Sequence, residues 1–132
     1  MSYIKQMFEA HPVNPSSDHA INMECITACY ACAEACNVCA DACMGEKEVA
    51  PLLECIRDNI DCADVCLATG RVMSRFTRTD KRLAGALLRA CIQACEICGA
   101  MCSKHGEKME HCRICAEACA RCAKACQALL AQ

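Results

Sequence analysis

Apolar and small residues recur along this chain at steps of three and four, and the residue that keeps the interval is cysteine. Cys25, Cys29, Cys32, Cys36, Cys39 and Cys43 follow one another at 4, 3, 4, 3, 4. Such steps stack side chains on one face of an α-helix. Cys91, Cys95, Cys98 and Cys102 repeat the pattern, as do Cys112, Cys115, Cys119, Cys122 and Cys126. Between them, Cys55, Cys62 and Cys66 keep the same interval if position 59 is counted, and position 59 is Asn59. Four stripes predict four helices.

Punctuation residues divide the chain where the stripes end. Asp18 or Ser17 can cap a first helix over roughly 18–44, with Gly45 as its stop. The second is expected over about 48–76, with Pro51 in the first turn, where no backbone donor is lost, and Gly70 as an internal weak point. Thr79 or Asp80 can open the third, which ends near His105 before Gly106, and the fourth covers about 107–131. Connections this short make neighbouring helices antiparallel. The expected fold is an all-α antiparallel four-helix bundle over residues 18–132, with residues 1–17 as a short N-terminal extension. In that extension Ile4, Met7 and Phe8 share one helical face before Pro12 and Pro15 interrupt it, and the face is expected to cover a bundle end or a neighbouring subunit.

A second apolar stripe accompanies the first: Leu53, Ile56, Ile60, Ala63 and Leu67, then Leu83, Leu87, Ala90, Ala94, Ile97 and Met101. Ordinary hydrophobic packing is expected of it. Alanines beside the cysteines, and Gly99, allow helices to approach closely.

Composition sharpens this picture. The 132 residues are 55% hydrophobic, sufficient for one sizeable core, yet only 3% are aromatic and 18 are cysteine. A formal charge of −2 offers no basic surplus for nucleic acid or an anionic membrane, and no apolar run reaches the roughly 18 residues of a membrane span. The opening MSYIKQMFEAHPVNPSSDHA lacks a basic segment followed by an apolar one, so a cytoplasmic location is expected. In a reducing compartment dense cysteine points to metal or redox chemistry rather than disulfides.

Spacing supports metal. Cβ atoms three or four residues apart on a helix are roughly 5–6 Å from each other, whereas a disulfide needs about 3.5–4.5 Å. An ion seated between two sulfurs spans the larger gap. Thiolates favour Cu(I), Zn(II) or iron-sulfur clusters, and charge separates these. Eighteen thiolates carry −18; four four-thiolate zinc sites use 16 of them and return +8, leaving −10 in the interior. Eighteen Cu(I) ions leave zero, and Cu(I) accepts two or three shared thiolates. The compact C-x2-C-x2-C runs typical of iron-sulfur ligation are absent. The reading is storage of many Cu(I) ions per chain, without catalysis. Zinc or other soft-metal buffering is one alternative, and a thiol redox protein with an activated, accessible cysteine is another.

The C-x3-C-x2-C-x3-C-x2-C-x3-C run, followed by three more cysteine helices, resembles the bacterial copper storage proteins, specifically their cytosolic branch. The resemblance spans about residues 18–131. It implies a four-helix bundle that fills with Cu(I), all 18 cysteines as ligands, and assembly as a homotetramer. Asn59 departs from an all-cysteine pattern, either satisfying its amide on nearby backbone and thiols or coordinating through its oxygen.

Both bundle ends carry candidates. His105, three residues past Cys102, extends the inward stripe of the third helix, and Met109 lies three before Cys112. With Cys43, Met44 and His111 they gather soft and borderline donors at one end, the expected entrance. Leu87, Leu88, Leu129, Leu130 and Met73 are expected to plug the other, with His19 and Met23 as capping or packing residues there.

Overall fold

The computed structural model describes residues 3–13 and 19–132. The expected caps Ser17 and Asp18, Pro15 and the side chain of His19 lie outside the described residues. Among the described residues five α-helices follow in order: α1 Ile4–Ala10, α2 His19–Met44, α3 Leu53–Met73, α4 Lys81–His105 and α5 Glu110–Leu130. No strand occurs among the described residues. α2 and α5 contain neither glycine nor proline, so nothing in their backbones opposes the helix that the cysteine steps demand.

α2 packs on α3 and α5, and α4 completes the ring by packing on the same two. This is the expected bundle. The connections are short, and Asp80 opens α4 as a true cap, its carboxylate accepting from the amides of Arg82 at 2.9 Å and Leu83 at 3.3 Å. By length and composition α4 is apolar enough to cross a membrane. Its cysteine face, however, is buried against the other helices.

Three expectations change. The chain does not enter α3 directly at residue 48: Pro51 sits in a 3-10 turn, Ala50–Leu52, and α3 ends at Met73, because Ser74 turns its hydroxyl and amide back onto the Gly70 carbonyl. Gly45 and Gly106 stop their helices without a left-handed turn, for no glycine among the described residues has positive φ. Gly70 is no weak point but a place of close approach. A Cβ there would stand 3.3 Å from Cys29 Cβ and 3.4 Å from the Tyr30 ring, and one on Gly99 would stand 3.3 Å from Cys119 Cβ.

The second apolar stripe is the larger correction. Ile56 and Ala63 are buried, but Leu53 (61%), Ile60, Leu67, Leu83 and Ile97 (51%) are exposed. Eighteen cysteines with buried Ala28, Ala33, Ala40, Ala63, Ala123 and Ala125 already fill the axis, and these two stripes cannot both point inward.

α1 covers a bundle end. Phe8 is buried, its ring 4.6 Å from that of Phe76 in the α3–α4 connection, while Met7 stays exposed. At this end Leu88 is buried and Leu129 packs on the core, but Leu87 and Met73 are half-buried and Leu130 is exposed. The expected plug is therefore partial. A cavity of about 530 Å3 opens there, lined by Val13, Asn22, Met73, Phe76, Leu88 and Leu129 among others.

Candidate metal centre

Every cysteine is a free thiol and fully buried. Each helix lays its stripe along the common axis, so sulfurs meet mainly across helices. Cys66 Sγ lies 3.5 Å from Cys95 and 3.7 Å from Cys91; Cys115 lies 3.6 Å from Cys36; Cys25 lies 3.8 Å from Cys126. The widest of these contacts are 4.0 Å. With bonds of roughly 2.3 Å, as thiolates make to a d10 metal, separations of 3.5–4.0 Å subtend an S–metal–S angle of roughly 100–120°. Thiolates at this spacing suit shared three-coordinate ions.

The sulfurs group into quartets whose ligand atoms lie within 4.8 Å of one another, and the quartets share corners. Cys122 belongs both to Cys29–Cys91–Cys122–Cys126 and to Cys32–Cys66–Cys95–Cys122. Cys32 links that set to Cys32–Cys36–Cys62–Cys119, and Cys36 and Cys119 continue into Cys36–Cys98–Cys115–Cys119. Four separate four-thiolate zinc sites would need sulfurs of their own. A ladder of shared corners fits bridged ions better.

Asn59 sits inside this ladder with no exposure. Its amide nitrogen donates to the Cys55 carbonyl at 2.8 Å and faces Cys55 and Cys102 Sγ at 3.4 Å. Its oxygen accepts from Cys115 at 3.0 Å and Cys98 at 3.3 Å. Backbone and thiols thus satisfy the amide, and the oxygen points at two potential ligands of the fourth quartet.

The thiols are not equivalent. Hydrogen bonds with neighbouring thiols, Cys122 foremost, together with burial, push Cys29 and Cys95 up. Bonds from Cys126 and then Cys29 pull Cys122 down to about 7. Cys112 is pushed up to about 12, first by burial and then by repulsion from Cys43. Neighbouring thiols thus differ in how readily they give up a proton to an arriving soft cation.

At the end opposite α1, Cys39, Cys43, Cys112 and His111 form a further quartet. His111 Nδ1 is 3.5 Å from Cys39 Sγ and 3.6 Å from Cys112 Sγ, and Nε2 is 2.9 Å from a Glu46 carboxylate oxygen. His105 is half-buried at the end of α4, and Met109 is the N-cap residue of α5, packed on the core. The structure therefore brings His111 onto the thiols, where the stripe pattern pointed first to His105. Position 111 is off the stripe by one residue, and only the turn into α5 aims it inward. Glu46, in a loop, had no sequence signal at all.

The profile of a family described as copper storage protein matches residues 18–131. This chain belongs to the copper storage protein family. A relative solved from Streptomyces lividans, the copper storage protein Ccsp loaded with 10 copper equivalents, is 46% identical, with a TM-score of 0.92 over 97% of this chain and 98% of the other. Another structure, of a cytosolic copper storage protein from the same organism with five coppers, is 49% identical, with a TM-score of 0.86 over 89% of this chain and 98% of the other. YhjQ of Bacillus subtilis (strain 168), called an uncharacterized cysteine-rich protein, is 37% identical over 81% of this chain and 94% of its own length. Family and thiol ladder agree: the chain is a store for copper rather than an enzyme, and its thiolate core suits many Cu(I) ions.

Proposed function

We propose that the protein is a cytosolic, high-capacity Cu(I) store in which all eighteen cysteines are ligands. The observation that carries this reading is corner-sharing among the quartets, since a thiolate common to two quartets can bridge ions and bring the count towards one per sulfur. The Asn59 oxygen supplements the fourth quartet, and His105 and Met109 serve the mouth where ions enter and leave. Residues 18–132 are the working unit and residues 1–17 an extension of it. The cytosolic location and multiple loading carry over from the Streptomyces relatives.

The store works as a homotetramer. Its support is the exposed apolar stripes, Leu53, Ile60 and Leu67 on α3 at seven-residue spacing and Leu83 and Ile97, two such steps apart, on α4, which a lone bundle leaves in water. Light scattering after gel filtration should give four times the 14.3 kDa chain mass, and Ile60→Lys with Ile97→Lys should lower it. Function is tested by isolating the protein anaerobically from cells grown with both metals. Copper in large excess over zinc is expected; zinc as the dominant metal would overturn the reading.

A further inference from the structure

The storage reading leaves Glu46 unused, yet this loop carboxylate reaches the α5 histidine that faces the thiols. The two side chains are partly buried, 38% exposed for Glu46 and 26% for His111, and Nε2 stands 2.9 Å from Oε2. A carboxylate can only accept, so the hydrogen of this bond belongs to Nε2. In the neutral ring Nδ1 is then the lone pair, and it faces Cys39 and Cys112 at 3.5 and 3.6 Å. With bonds of roughly 2.3 Å to sulfur and 2.0 Å to nitrogen, an N–S gap of 3.5 Å corresponds to an angle of roughly 110° at a shared ion. The ring is already where a copper ligand would be needed. It stays there because Glu46 holds its far side, since His111 has only one residue between itself and the helix N-cap, Met109, and no other polar partner among the described residues besides the thiols.

Resting on the storage reading, we infer that Glu46 is the positioning residue of the copper mouth: by accepting Nε2–H it orients His111 so that Nδ1 receives arriving ions beside Cys39, Cys43 and Cys112. Carboxylates that orient metal-binding imidazoles in this way commonly change affinity 10–100-fold when removed. Glu46 lies in the α2–α3 connection, and among the described residues its carboxylate hydrogen-bonds to His111 and to no cysteine, so its loss should leave the ladder intact.

The test is the initial rate of anaerobic Cu(I) transfer from a coloured Cu(I) chelate. Glu46→Ala should slow uptake about tenfold or more with final loading unchanged, whereas Glu46→Gln, which still accepts through its amide oxygen, should recover most of the rate. In a His111→Ala background, Glu46→Ala should add nothing, because its effect passes through the ring. Nitrogen-15 NMR of the metal-free protein should show a hydrogen-bonded Nε2–H on His111 that is lost in Glu46→Ala. Wild-type uptake by Glu46→Ala, or additive slowing in the double variant, overturns the positioning role and leaves storage standing. Failure of the wild type to take up copper at all overturns both.

Discussion

Cys36 and Cys25 are both buried thiols of α2, and the corner-sharing ladder predicts that they are worth different amounts of copper. Cys36 Sγ has four sulfur neighbours, Cys115 at 3.6 Å, Cys32 and Cys119 at 3.8 Å and Cys98 at 3.9 Å, and sits in two quartets. Cys25 has one sulfur within 4.0 Å, Cys126 at 3.8 Å, and otherwise interacts with Cys29. Replacing a bridging thiolate by alanine should remove about two ions, because two lose a ligand, and replacing the terminal one about one. Either variant leaves a small cavity costing about 1–2 kcal/mol, which lowers the midpoint of a chain this size by roughly 3–8 °C. Both variants therefore remain folded, and loading can be compared directly. Anaerobic Cu(I) titration followed by the thiolate charge-transfer band, with metal analysis after gel filtration, gives the counts. Equal losses, or a larger loss from Cys25→Ala, would show that the shared corners are not bridges.

Glycine geometry separates substitutions at two other positions. Gly85→Ala should raise stability by about 0.5–1 kcal/mol, since its Cβ meets only the movable Arg89 guanidinium; Gly70→Ala, pressed against Cys29 and Tyr30, should gain nothing, and Gly70→Leu should lose about 1–3 kcal/mol in thermal melts. The metal-free, reduced protein should show a fully helical far-UV circular dichroism spectrum, because buried Ile26, Leu52, Leu88 and the alanines pack without metal. The same apo form should weaken in alkali: the Cys112 thiol, raised from 9.0 to about 12, keeps its proton in the folded state where the unfolded chain has released it. That contribution is complete below about 9 and is lost as pH rises towards 12, so denaturation midpoints should fall across this window, and less so once copper has replaced the proton.

The cysteine intervals made the bundle legible because a 3–4 repeat of one residue type admits one helical face, and each stripe is indeed buried. Asn59 was legible for the same reason, as the stripe's missing beat. The neighbouring stripe of Leu53, Ile60, Leu67, Leu83 and Ile97 faces outward against expectation, since apolarity alone does not say which of two faces turns inward. That depends on interior volume, which small cysteines and alanines had already filled. Gly70 misled because helix propensity speaks of isolated helices, while its lack of a side chain is used by Cys29 and Tyr30 across the interface. The His111–Glu46 pair joins residues 65 apart through one loop-borne carboxylate, a contact that no local period encodes.

Capacity is the most direct test of the central claim, and an anaerobic titration of the reduced protein with Cu(I) in weak buffer at neutral pH, with proton release recorded, measures it. The account predicts filling to near one ion per cysteine, about eighteen per chain, with close to one proton released per ion because most buried thiols begin protonated. A plateau at about four ions, the capacity of separate four-thiolate sites, or filling without proton release, would contradict a core of bridging thiolates.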